Sequence, residues 1–288
     1  MGSGAIAMVT GVAVVGAGLV TTAVPTAEAT PVSVVTGSAT TNAAAVATST
    51  SAEATSPRPA AETRPPYYPS RLTHLGNARQ VVVVTASTWT TSYATVRTYN
   101  LTSTGWHRQF TKKNGRIGTH GFAPFGARRQ NSGETPAGTY RLLRAFGAAT
   151  DPGIALPYRK FDRNDWWPYD PRDPRTYNVE QYHGRSAATQ WRKSWAEHLW
   201  HFRDQYRYAV VLNYNLPSGL YASGNQRFAA NTANTGAGGG IFLHVNGPGS
   251  TAGCISVSGK AMRQILRWLN PARHPVIVMA PIKAIGRA

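Results

Sequence analysis

The 288-residue sequence predicts a mostly-β fold: a β-sandwich-like domain with two short helices, spanning residues 79–285. Three observations carry that reading. Short runs with a two-residue apolar period recur between residues 81 and 279, the period of a strand whose side chains alternate between faces. Clusters of Gly, Pro and Asn separate these runs, as turns do. Only two stretches keep a helical period.

In chain order, residues 5–24 are mostly Ala, Val and Gly, and Ala27-Glu28-Ala29 follows with the A-x-A pattern of a signal-peptidase site. Residues 1–29 therefore resemble a secretory signal, although no Lys or Arg precedes Arg58; an uncleaved N-terminal membrane anchor is the alternative. Residues 30–78 are rich in Ala, Thr, Ser and Pro and read as a disordered linker, because they offer little apolar surface to offset chain entropy. Strands are expected at Val81–Val84, Ala94–Tyr99, Trp106–Phe110, Thr139–Arg144, Tyr208–Tyr214 and Val276–Met279. Thr135-Pro136-Ala137-Gly138 is a turn, and residues 147–174 and 216–240 read as loops. One helix is expected over Thr189–Trp200, where Trp191, Trp195 and Leu199 share a face. The other runs over Gly259–Leu269, with Ser258 as its cap and Asn270-Pro271 as its end.

The formal charge is +18, which favours anionic partners such as acidic wall polymers, lipid or nucleic acid. The basic residues form no zinc-finger or basic-helix pattern, and the signal-like start argues against nucleic acid. Cys254 is the only cysteine, so there is no intramolecular disulfide and no Cys-rich zinc site.

That cysteine lies in Ile241–Ser258, where both flanks of a Gly/Pro/Ser loop alternate. Ile241, Leu243 and Val245 fall on one face, and Phe242, His244 and Asn246 on the other. After the loop, Ile255 and Val257 oppose Cys254, Ser256 and Ser258. Neighbouring strands with a shared apolar core place His244 and Cys254 on the same side, as a thiol nucleophile and its base require. The N–H groups of Gly253 and Cys254 are candidate oxyanion donors. The group that orients His244 is one of Asn246, Ser250, Thr251 or a backbone carbonyl.

This segment resembles the active-site motif of L,D-transpeptidase (YkuD-type) catalytic domains, in a short-loop variant. The resemblance rests on His244, on Thr251-Ala252-Gly253-Cys254-Ile255, and on the upstream Thr135-Pro136-Ala137-Gly138 turn. It departs at Ala252, where a second histidine is common, and at Ser256, where Arg or Asn is common. The resemblance implies that Cys254 attacks the third residue of a peptidoglycan stem tetrapeptide, with His244 as base. D-Ala leaves, and an amine of a neighbouring stem resolves the thioester into a 3→3 cross-link; water as acceptor gives an L,D-carboxypeptidase. It implies no metal and no organic cofactor, and an exported, wall-associated monomer. Two other readings compete: a non-catalytic wall-binding module of the same fold, and a metallopeptidase built on His198 and His201.

Overall fold

The structure, a computed structural model, describes residues 64–288. In chain order come β1 (Gln80–Ala86), β2 (Tyr93–Thr102), β3 (Gly105–Arg116), β4 (Phe122–Ala123) and β5 (Thr135–Pro136). Next are β6 (Gly138–Gly147), β7 (Tyr158–Lys160), β8 (Trp166–Pro168), β9 (Ala196–His198) and β10 (Ala209–Leu212). They are followed by β11 (Ser218–Ser223), β12 (Gln226–Asn231), β13 (Phe242–Val245), β14 (Ile255–Val257), the helix α1 (Gly259–Trp268) and β15 (Val276–Pro281).

Nine strands pair in the order β10-β13-β14-β3-β2-β1-β15-β6-β7, and β6 also pairs with β10. The mostly-β class holds, with the two layers of a sandwich replaced by one sheet that closes on itself. The long strand β6 makes the closure: Gly138–Arg141 pair with β15, and residues 142–146 pair with β10. The valine run of β1 is buried on both faces. Val82 and Val84 face Met262, Ile265 and Leu266 of α1, while Val81 and Val83 face Val278 and Ile285. Ser258 caps α1 by accepting from Ala261 N at 3.3 Å, and the helix buries one stripe against the sheet.

Several expectations change. Residues 64–78, assigned to the linker, are packed: Tyr68 meets Tyr99 edge-on at 5.6 Å, and Leu72 and Ala78 join a core cluster. Tyr67, Tyr68, Leu72 and Leu75 supply apolar area that the preceding Ala/Thr/Ser tract lacks. The remaining linker and the signal-like segment, residues 1–63, lie outside the described residues.

Thr189–Trp200 is not a helix. It holds a 3₁₀ turn at Lys193–Trp195, then strand β9, then another 3₁₀ turn from Leu199. Distant carboxylates take the backbone donors that a helix would use. Asp173 Oδ2 accepts from Gln190 N at 2.7 Å, and Asp170 Oδ2 accepts from Arg192 N at 2.9 Å. The Arg192 guanidinium then clamps Asp170 through two more bonds of 2.7 and 2.9 Å. Trp191 and Leu199 are still buried, so the apolar spacing reported burial rather than helix. The expected loop 216–240 contains a hairpin, β11–β12, whose first strand is exposed while its second buries Gln226, Phe228 and Ala229; the expected loop 147–174 contains β7 and β8; and Thr135–Pro136, expected as a turn, is strand β5, paired parallel with β4.

Candidate active site

Strands β13 and β14 lie side by side and parallel, with Leu243 opposite Ile255 and His244 opposite Ser256. Leu243, Ile255 and Val257 enter the main core. Phe242 and Cys254 belong to a separate cluster on the other face, with Phe146, Trp167 and Tyr206. His244 stands on that second face too, where the Tyr206 ring meets it edge-on at 5.3 Å. The two-residue period thus places His244 and Cys254 on one side of the sheet.

Cys254 keeps partial solvent exposure. Its thiol donates to Gly240 O at 3.2 Å, and Phe242 N donates to Sγ at 3.4 Å. Burial, and behind it the nearby Glu197 carboxylate, push the thiol up to about 12; the Phe242 N–H and the Arg128 guanidinium act the other way. His244 is 6 % exposed, and burial holds its imidazole down at about 4. Its Nδ1 lies 2.8 Å from Val245 O. A carbonyl only accepts, so this contact assigns a proton to Nδ1, and the Gln205 backbone makes a second hydrogen bond with the ring; both oppose the effect of burial. Of the four candidate orienting groups, the backbone carbonyl is the one in place. At neutral pH the resting pair is therefore a neutral thiol and a neutral imidazole.

The residues around the cysteine serve mainly to hold its loop. Thr251 Oγ1 donates to Cys254 O at 2.6 Å and accepts from Gly253 N at 3.1 Å. Gly253 N–H is thus already committed, which corrects its assignment as an oxyanion donor; Cys254 N–H remains the candidate. Gly253 adopts φ +143°, and a Cβ there would stand 2.8 Å from Glu134 O. Ser250 is exposed on the loop. Asn246 turns its side chain toward Asn114 O at 3.5 Å. Neither contacts His244.

Strand β5, Thr135–Pro136, has a physical role at the site. Thr135 Oγ1 accepts from Gly118 N at 2.9 Å and donates to Gly253 O at 2.8 Å, so it ties β5 to the residue before Cys254. Thr135 is fully buried. Thr135→Val should strip both backbone groups of their partner and destabilise the domain by about 2 kcal/mol or more in urea unfolding; an unchanged midpoint would contradict this role.

Sequence reasoning missed Glu197, Tyr206 and Tyr169. Glu197 is enclosed beside the cysteine, and burial raises its carboxyl to about 7 against the opposing hydrogen bonds of Tyr206 and Tyr169. Tyr206 Oη donates to Oε1 at 2.8 Å, and Tyr169 Oη to Oε2 at 3.5 Å. Tyr169 Oη also packs so closely on Gly240 that a Cβ there would collide with it. Glu197 lies on β9, Tyr206 in a 3₁₀ turn and Tyr169 just after β8, and no spacing in the sequence links them to Cys254. His198 and His201 do meet, at 3.1 Å, but His198 also bonds Arg163 O and stacks on Trp166. Among the described residues no cluster of three metal-ligating groups occurs.

The family model for the L,D-transpeptidase catalytic domain (YkuD) matches residues 79–278. None of the curated proteins compared matches the chain. Among solved structures, the helical cell shape determining protein Pgp2 from Campylobacter jejuni is similar in two forms. Its K307A mutant is 15 % identical with a TM-score of 0.33, over 76 % of this chain and 58 % of that one. The other form is 14 % identical with a TM-score of 0.32, over 73 % and 53 %. The chain thus spans a little over half the length of either structure.

Proposed function

The chain belongs to the L,D-transpeptidase catalytic domain family, and on that premise we propose that it is an exported acyltransferase with Cys254 as its nucleophile. Its donor is a peptidoglycan stem tetrapeptide. Cys254 Sγ attacks the carbonyl of the third residue while His244 Nε2 takes the thiol proton. The tetrahedral intermediate collapses, the C–N bond breaks, and the imidazolium returns its proton to the departing amine of D-Ala. An amine of a second stem then attacks the thioester, and the thiol is regenerated as the 3→3 peptide bond forms. Cys254 N–H is the oxyanion donor in this scheme.

The observation that supports this reading best is the placement of His244 and Cys254 on one face of β13 and β14, with the imidazole held by Val245 O. A thiol as weakly acidic as this one does not ionise at rest. The scheme therefore couples proton transfer to attack on bound substrate, with a neutral imidazole ready as base at neutral pH.

The test is incubation with disaccharide tetrapeptide, with products read by mass spectrometry. D-Ala release with a cross-linked tetrapeptide–tripeptide dimer is the expected result. Free tripeptide alone would make the enzyme an L,D-carboxypeptidase. Binding to insoluble wall with no release would make it a non-catalytic module. The exported, wall-associated setting and the peptidoglycan partner belong to the same proposal, as does attraction of the +18 charge to anionic wall polymers. Among the described residues no helix is long and apolar enough to cross a membrane.

A further inference from the structure

One buried charge beside Cys254 has no part in the scheme above. Arg128 lies between β4 and β5 and is only 7 % exposed. Its Nε donates to Glu134 O and its Nη1 to Ala237 O, each at 2.8 Å, and both acceptors are neutral carbonyls. Among the described residues no carboxylate lies within ion-pair distance of it, whereas Arg144, Arg159 and Arg192 all reach one. The guanidinium also lies over the Tyr214 ring, 5.6 Å from its centroid, so its compensation among the described residues is two carbonyls and one aromatic ring, with no carboxylate. Its Nη2 is the nitrogen beside Gly253: a Cβ on Gly253 would stand 3.0 Å from it. A Cβ on Gly238 would collide with Nη1, so two glycines leave room for the guanidinium. Two carbonyls and the Tyr214 ring offset only part of the cost of enclosing this cation, and an anion would complete the site.

We propose that Arg128 binds the terminal carboxylate of the acyl donor, the carboxylate of the amino acid that leaves. This rests on the acyl-transfer reading and names how its site recognises substrate. Covalent geometry fits: the carboxylate carbon of a leaving amino acid lies three bonds beyond the scissile carbonyl carbon, within about 4 Å. An anion site next to the residue that precedes the nucleophile is therefore at the right remove. A guanidinium matches a carboxylate with two parallel N–H donors.

The test compares a tetrapeptide donor bearing a free terminal carboxylate with its terminal primary amide. Wild-type kcat/KM for D-Ala or D-alaninamide release should favour the acid by about 100-fold or more. Arg128→Gln should bring that ratio close to one by losing rate on the acid only, and Arg128→Lys should keep part of it. Equal wild-type rates on the two donors would overturn the proposal. So would an equal loss on both in Arg128→Gln, the mark of an oxyanion or purely structural role. Release from neither donor would instead defeat the acyl-transfer reading. A second measurement then decides Arg128 by itself, the ratio of Cys254 alkylation by iodoacetate to that by iodoacetamide. It should fall about tenfold in Arg128→Gln, and an unchanged ratio overturns the proposal.

Discussion

His244→Gln should lower D-Ala release from a tetrapeptide donor by about 100- to 10,000-fold, the range of a lost general base, while the domain stays folded. Glutamine is close to histidine in volume, and its amide can still donate to Val245 O. It cannot take a proton at neutral pH. Because burial holds His244 at about 4, the acid limb of wild-type kcat/KM should also fall near pH 4, not near the ordinary histidine value of 6.5. The imidazole is the base only when neutral, so activity persists above that value and is lost below it. A limb at 6.5 would mean that another group is the base or that the His244 ring is not buried in the free enzyme. A glutamine variant with wild-type rate would remove His244 from the chemistry.

Glu197→Gln should reshape how stability depends on pH. The folded-state carboxyl is raised to about 7 from an ordinary 4.5. Its contribution is thus fully present below 4.5 and is lost as pH rises to 7, by about 3 kcal/mol. His244 runs the other way. Its folded value is lowered from 6.5 to about 4, so its contribution is present above 6.5 and is lost as pH falls to 4, by a similar amount. Between pH 4.5 and 6.5 the two slopes oppose each other, and wild-type stability should be nearly flat. In the Glu197→Gln variant the histidine slope should emerge. Stability should then rise from pH 4.5 to 6.5, and at pH 8 the variant should exceed wild type by about 3 kcal/mol. The amide can still accept from Tyr206, so packing is conserved. Removing the carboxylate should also ease thiolate formation, since its charge is the second cause holding the Cys254 thiol high. Urea unfolding across pH tests the stability claim; parallel curves for the two proteins would contradict it.

Much of the site could be read from the chain because it is local. The alternation through Ile241–Asn246 and Cys254–Ser258 requires only a period of two and a shared core, and β13 and β14 supply both. Ser258 capping α1 is an equally local feature. Thr135-Pro136 was read as a turn but is the short strand β5, and the bond from Thr135 to Gly253 O spans 118 residues and has no sequence signal. The same holds for Glu197, Tyr206, Tyr169 and Arg128, which meet at Cys254 only through the closed sheet and the loops between its strands. The failed helix at Thr189–Trp200 belongs to this class. Its aromatic spacing was real, but Asp170 and Asp173, far along the chain, capture its backbone donors. The hairpin β11–β12 escaped notice because all of β11 is exposed, and the buried positions of β12 include the polar Gln226 beside Phe228 and Ala229, so no apolar alternation marks either strand.

The central claim is that Cys254 carries an acyl group, and intact-protein mass spectrometry of the domain quenched during turnover tests it most directly. The expected result is a covalent adduct equal to the tetrapeptide donor less D-Ala, mapped to Cys254 by peptide digestion and absent from Cys254→Ala. An adduct on any other residue, or undiminished D-Ala release by Cys254→Ala, would contradict it.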